Sequence, residues 1–446
     1  MSGPSRGEFS SSFGFIMAAA GSAIGLGNIW GFPTQTAQNG GAAFVLLYLI
    51  LAFLVGYPIL LAEFTIGRHT QSNPVGAYQA IKGGKRFVPI GFLGITTVGF
   101  ILSFYSIIAG TMVAYFIDPV LKLAGLHEAA AWVVSQDTAS NILFASLFFF
   151  LTILIVAAGV KNGIEKWSTR LMPTLLVILV ALAIYVLTLD GAMEGLKVYL
   201  LPDFSKVMHT QLFTSALGQA FFSLSLGVGS MLVLASYTSK KENLVRLGSL
   251  VTLSDVSIAF LAGLLIIPAM YAAAASGTPI FDEAGNLISG PNLIFQVLPA
   301  LFDNMGPIGI GLSIIFFFLM IIASLTSTIS MLEVPVAYAV DNRGANRVSA
   351  SIAIGVAFWI VSVVIALNFD LLFNFVVSAT TQFIQPLLGL FICIFVGWVM
   401  SRNALIEEIK QGNPEVANSF FMKIWPLFIR YVSPVLILII LAQAFL

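Results

Sequence analysis

The sequence predicts an all-α, polytopic membrane protein of eleven transmembrane helices, arranged as a five-plus-five repeat with one further helix. Three observations carry that reading. The 446 residues are 59% hydrophobic and 9% charged, against about 25% charged in soluble domains, and mean hydropathy is +0.99. Apolar runs long enough to cross a bilayer, about eighteen residues or more, recur along the whole chain. Third, the basic residues fall almost entirely on one side of the resulting topology. A barrel would need alternating segments of about ten residues, and these are absent.

In chain order the segments are 11–38, 41–66, 88–118, 141–158, 167–190, 211–236, 246–275, 306–338, 348–367, 372–400 and 424–445. Alternating the loops between the two sides places seventeen Lys and Arg on one side, and only Lys122, Lys197 and Lys206 on the other. The positive-inside rule then puts the N-terminus in the cytoplasm and, with an odd span count, the C-terminus outside a plasma (inner) membrane. No linker divides the chain, so 1–446 reads as one domain: repeat one about 11–190, repeat two about 211–400, and an extra helix about 424–445.

Several function classes have no support. Zero net charge gives no basis for a nucleic-acid partner, and Cys393, alone in an apolar run, cannot build a disulfide framework or a cysteine metal site. His69, His127 and His209 are far apart. No nucleophile–base pair stands out, so the chain does not read as an enzyme, and no obligatory protein partner is evident.

The first segment is interrupted. "GSAIGLGNIWGFP", residues 21–33, carries Gly25 and Gly27, then Asn28 and Pro33. The sixth, "GQAFFSLSLGVGSMLVLASY" (218–237), is interrupted by Gly227 and Gly229. Unwinding a helix in lipid frees N–H and C=O groups at several kcal/mol each, which only a cavity, a ligand or neighbouring protein makes tolerable. Freed carbonyls can hold Na+, and the N-terminal end of a half-helix can hold a carboxylate. Glycines in one segment could equally be packing surfaces. Matching breaks in two halves favour an inverted-repeat transporter with its binding site at the breaks. Three acids, Glu63, Asp255 and Glu333, lie inside apolar spans, where a charge costs about 2.5–3.5 kcal/mol, so each should have a partner or be protonated.

Four stretches resemble the neurotransmitter:sodium symporter family, in its bacterial eleven-span amino-acid transporter type. "AAAGSAIGLGNIWGFPTQTAQNGGAAF" resembles its first segment, "YPILLAEFTIGRHT" its second, "FFSLSLGVGSM" its sixth and "IIASLTSTISMLEVPVAY" its eighth. The resemblance implies inverted repeats in which segments one, two, six and seven rock against a scaffold that includes three and eight. It implies sodium-coupled uptake of a small amino acid by alternating access. The runner-up is a sodium-dependent amino-acid sensor on the same scaffold, without net transport.

Carried over by position, the resemblance implies two Na+ sites. The first would use Ala23, Asn28, Ser223 and a group in "TLSDVS", either Ser254 or Asp255. The second would use the carbonyls of Gly21, Ile24 and Ala323 with the hydroxyls of Thr326 and Ser327, all oxygen ligands as a hard cation demands. The implied substrate pocket comprises Ser22, Ala23, Gly25, Gly27, Ile101, Tyr105, Phe222, Ser223, Ser225, Val228, Ser327 and Met331, with Tyr105 and Phe222 closing over it. Glu63 matches a glutamate that braces the unwound stretches. Asp255 would supply the negative charge that chloride supplies in some relatives, so chloride is not expected to be required. Arg6, Phe9 and Asp341 match an inner gate, and Gly163 and Pro173 match a Gly-x9-Pro pattern of local unwinding. Glu333 is expected only to face an aqueous vestibule.

The outer gate departs from the pattern: Gly31 replaces an arginine, and "FNFVVSATTQF" in the tenth segment lacks the partner acid. Gly25 stands where amine transporters have an aspartate, so the ligand should bring its own carboxylate. Val228 replaces a bulkier aromatic, which leans the substrate towards a medium or large apolar amino acid.

Overall fold

The computed structural model describes residues 7–202, 210–281, 287–288 and 293–443. Nine helices among the described residues are long and apolar enough to cross a membrane unbroken: Ala42–Thr70, Gly84–Leu123, Thr138–Ala157, Val160–Val186, Leu244–Ala275, Pro307–Arg343, Arg347–Leu367, Phe369–Val399 and Phe420–Ala442. Two further spans are broken. The first runs Ser12–Ala23 and Gly27–Gln38, bent by 51°; the sixth runs Thr210–Ser223 and Ser230–Ser236. These account for all eleven expected segments.

The breaks follow from local backbone chemistry. The first helix starts where Ser11 accepts a bond from Gly14 N–H, and it ends at Ile24, whose ψ of 107° is extended. In the sixth span Ser225, Gly227 and Gly229 have φ of 51°, 90° and 85°. That left-handed region disfavours side chains. At Gly227 a Cβ would also lie 2.6 Å from the Gln385 carbonyl oxygen and 3.0 Å from Gly389 N.

The third and eighth spans, Gly84–Leu123 and Pro307–Arg343, pack along each other, and Ser12–Ala23 of the first span packs against the eighth. Gly110 lets the third span approach the fourth so closely that a Cβ would sit 2.6 Å from Ala145 N. Thr152 and Thr328 join the fourth and eighth spans through hydroxyls 2.9 Å apart. The fifth span differs from expectation. Val160–Glu165 is a wide helical turn that runs straight into Lys166–Val186, with Pro173 inside a continuous helix. No unwound stretch separates Gly163 from Pro173 in this conformation. Gly163 sits against the Ile155 carbonyl, and Pro173 is accommodated within Lys166–Val186.

Candidate functional site

The carbonyls freed at the first break converge on the eighth span. Ser327 Oγ lies 3.3 Å from the Gly21 oxygen, 3.5 Å from that of Ser22, 3.3 Å from that of Ile24 and 3.4 Å from that of Ala323. One hydroxyl hydrogen cannot serve four acceptors, and all four distances exceed an ordinary O–H···O bond of about 2.7–2.8 Å. Thr326 Oγ1 stands beside them, donating to Ala323 O at 3.0 Å and Ile322 O at 3.2 Å. Converging neutral oxygens without an acid suit a small hard cation, so these residues fit sodium.

A second cluster surrounds Asp255, which is fully buried. Its carboxylate accepts from Asn28 Nδ2 at 2.7 Å, from Ser223 Oγ at 2.9 Å and from Tyr48 O–H at 3.2 Å. Asn28 turns its own Oδ1 to accept Gly25 N–H at 3.2 Å, and Ala23 is buried at the end of Ser12–Ala23, on the other side of the break. Among the described residues no lysine, arginine or histidine pairs with Asp255. Of the two seventh-span alternatives, Ser254 is not brought into the cluster. It is partly exposed and donates back to Leu250 O at 2.8 Å, because one residue along a helix turns the side chain by about 100°.

Between the breaks lies a cavity of about 30 Å³ whose walls include Ser22, Ala23, Gly25, Gly27, Ile101, Tyr105, Phe222, Ser225, Val228, Ser327 and Met331. The expected substrate residues are thus brought together, apart from Ser223, which faces Asp255. Gly25 is hemmed in: a Cβ there would lie 2.4 Å from Ser327 Oγ and 2.5 Å from Tyr105 Oη. Tyr105 Oη accepts Leu26 N–H at 3.0 Å, and Ser225 Oγ donates to Ser22 O at 2.9 Å. A larger vestibule of about 530 Å³ opens beyond, lined by Trp30, Gly31, Gln35, Phe104, Gln219, Phe373 and Gln382 among others. Tyr105 and Phe222 line both spaces and form the partition between them.

Three side chains hold the unwound backbone. Glu63 Oε1 accepts Gly227 N–H at 2.7 Å, the bracing position expected of it. Gln219 Nε2 donates to Gly27 O at 2.7 Å, and Gln385 Nε2 donates to Leu226 O at 3.1 Å. The two glutamines escape sequence reading; their only signal is a neutral amide inside an apolar run.

At the opposite end from the vestibule, Phe9 N–H donates to Tyr237 O at 3.0 Å and its ring packs edge-on against Phe15 and Tyr237. Arg6 lies outside the described residues. Asp341 accepts from Asn73 Nδ2 at 3.1 Å. Glu333 corrects the expectation of an aqueous vestibule: it is fully buried, accepts Tyr237 O–H at 2.6 Å and forms an ion pair with Arg347. Arg68, expected as a loop charge, is also buried and pairs through Nε with Glu408 Oε1 at 2.7 Å. At the vestibule, Gly31 has the amide of Gln219 beside it.

Known proteins resemble the chain over most or nearly all of its length. The Sodium:neurotransmitter symporter family profile matches residues 6–141 and 137–446. An uncharacterized sodium-dependent transporter, YhdH of Bacillus subtilis, is 34% identical over 97% of this chain and 96% of its own. An uncharacterized sodium-dependent transporter of Haemophilus influenzae is 32% identical over 98% and 97%. A sodium- and chloride-dependent taurine transporter of Rattus norvegicus is 28% identical over 76% of this chain and 61% of its own. The crystal structure of MhsT in complex with L-phenylalanine superposes with a TM-score of 0.86 at 37% identity, covering 98% of this chain and 100% of that one. The chain therefore belongs to the sodium:neurotransmitter symporter family of sodium-dependent membrane transporters.

Proposed function

We propose that the chain is a symporter that takes up an apolar, medium to large amino acid together with Na+ by alternating access. The observation that carries this reading is the juxtaposition of two oxygen clusters at the first break, whose residues also wall the cavity. The four carbonyls around Ser327 form the first and the Asp255 carboxylate with Asn28 and Ser223 the second. Two Na+ ions with a zwitterion carry two net charges inward. Each is worth about 2.3 kcal/mol per 100 mV of membrane potential.

The substrate's carboxylate would lie at the first break, where Gly25 and Gly27 permit close backbone approach and the Tyr105 hydroxyl stands alongside. Its side chain would lie among Val98, Ile101, Val228 and Met331. A cavity of about 30 Å³ has room for only a water or two, so entry requires Tyr105 and Phe222 to swing towards the vestibule. The L-phenylalanine bound by MhsT is a ligand of the proposed kind. The repeats about 11–190 and about 211–400 would form one transport unit. The basic-rich ends of the spans would face the cytoplasm, and Asp255 would stand in for chloride.

The test is uptake of labelled L-phenylalanine into proteoliposomes under an inward Na+ gradient. Accumulation that rises with an inside-negative potential is expected. Equal uptake with choline replacing Na+ would overturn the proposal, and sodium-dependent binding without accumulation would favour a sensor instead.

A further inference from the structure

Three polar atoms in the wall of the central cavity have no hydrogen-bond partner: Ser22 Oγ, Ser230 Oγ and Gln385 Oε1. Their residues are 1%, 1% and 2% exposed. The cavity's other polar side chains are engaged, Ser225 with Ser22 O, Ser327 with the carbonyl cluster and Tyr105 with Leu26 N–H. A buried polar atom left unpaired costs about 1–3 kcal/mol, and three around one small space mark a place built to meet a polar group.

The chemistry of that group follows from Gln385. Its amide nitrogen faces two carbonyl oxygens, Leu226 O at 3.1 Å and Phe221 O at 3.4 Å. Carbonyls accept only, so the NH2 must point at them and the amide oxygen must point away. The orientation is thus chemically forced. The oxygen that remains, Oε1, can only accept. Its complement is a donor, N–H or O–H, and the two serine hydroxyls can either donate or accept beside it.

We infer that the substrate is an amino acid whose side chain ends in a hydrogen-bond donor on an apolar stem, read by Gln385 Oε1 with Ser230 and Ser22. This rests on the proposed amino-acid transport and narrows its substrate class. The apolar walls, Val98, Ile101, Val228 and Met331, contact the stem; the amide and hydroxyls select its tip. Phenol and indole side chains have this form, and phenyl and aliphatic ones lack the donor. A site that hydrogen-bonds a substrate donor rejects the shape-matched analogue lacking it, because the site's own polar atoms are then left unpaired.

Isosteric pairs test this on the purified full-length transporter in NaCl, by calorimetry. L-tyrosine is compared with 4-methyl-L-phenylalanine, and L-tryptophan with L-3-benzothienylalanine, in which sulfur replaces the indole N–H. The donor-bearing member of at least one pair is expected to bind about tenfold tighter or more. Gln385→Leu should erase that ratio. Because Gln385 also holds the sixth break, Ser230→Ala provides a variant with that hold intact, and it should shrink the same ratio. Equal affinities within both pairs would mean that the polar atoms only hold water, and would overturn the inference while leaving amino-acid transport standing. Ratios that survive in both variants would also overturn it. Failure of every amino acid to bind in sodium would instead overturn the transport proposal on which it rests.

Discussion

Replacing Asp255 with asparagine removes one negative charge from the site with almost no change of shape. Asp255 is fully buried, and its carboxylate is held by three neutral donors, Asn28, Ser223 and Tyr48. A carboxylate in that position costs several kcal/mol of lost hydration, which the proposed sodium ion would offset. For unit charges about 2.4 Å apart at an effective dielectric of about 20, the attraction is about 7 kcal/mol. Dehydrating the ion consumes a large part of it. If about 2.7 kcal/mol survives, Asp255→Asn weakens sodium binding about 100-fold. The missing charge should also become replaceable by an external anion. The assay is the sodium midpoint for binding of L-phenylalanine, measured in chloride and in gluconate. Wild type should give the same midpoint in both. The variant should be weak in gluconate and partly restored by chloride. A variant midpoint within threefold of wild type in gluconate, with no response to chloride, would refute the charge argument.

Three other substitutions probe the scaffold of the site. Gly227→Ala places a Cβ 2.6 Å from the Gln385 carbonyl oxygen at a φ of 90°, so the melting temperature should fall sharply; an unchanged transition would mean that the sixth break is not held as described. Tyr105→Phe leaves Leu26 N–H without its acceptor and should weaken substrate binding about tenfold, whereas wild-type affinity would show that the hydroxyl is idle. At Glu408, burial acts to raise the carboxyl pKa, but hydrogen bonds from His69 and Arg68 and the guanidinium charge hold it below the usual glutamate range. A depressed folded-state pKa means the stabilisation is present above the unfolded value of about 4.3 and lost as pH falls through the folded one. Glu408→Gln should therefore lower the melting temperature at pH 7 and flatten its decline in acid; parallel curves for variant and wild type would contradict the pairing.

The two breaks were legible because they violate a rule: asparagine, proline and clustered glycines have no place inside an ordinary membrane helix. The identity of the buried acids was legible for the same reason, but their partners were not. Arg68 and Glu408 are separated by 340 residues, and each alone reads as a loop charge. Glu333 and Arg347 are 14 residues apart, yet they meet only because Pro307–Arg343 and Arg347–Leu367 fold back at a turn that leaves Arg347 between spans. Ser254 and Asp255 could not be told apart by residue type, since both are polar in an apolar run; the angular register of the seventh helix separates them. Gln219 and Gln385 were missed because an amide in a membrane helix reads equally well as interhelical glue. Only the position of the facing carbonyls distinguishes the two uses.

The backbone groups at the two breaks are met by side chains one by one. Gly25 N–H goes to Asn28, Leu26 N–H to Tyr105, Gly27 O to Gln219, Leu226 O to Gln385 and Gly227 N–H to Glu63. The partners come from the second, third and tenth spans as well as from the broken spans themselves, so each break is fixed by helices that neighbour it. What this internal network leaves over is specific: carbonyl oxygens crowded around one hydroxyl, and a buried carboxylate with neutral donors only. Both remainders carry excess negative charge or dipole, and neither can be relieved from within the membrane. In the proposed mechanism a cation would satisfy them with the breaks in place, and its loss would leave them unsatisfied. On that proposal sodium and the geometry of the cavity would be linked by the same polar atoms, so a ligand that needs that geometry would bind better in sodium without any separate coupling device.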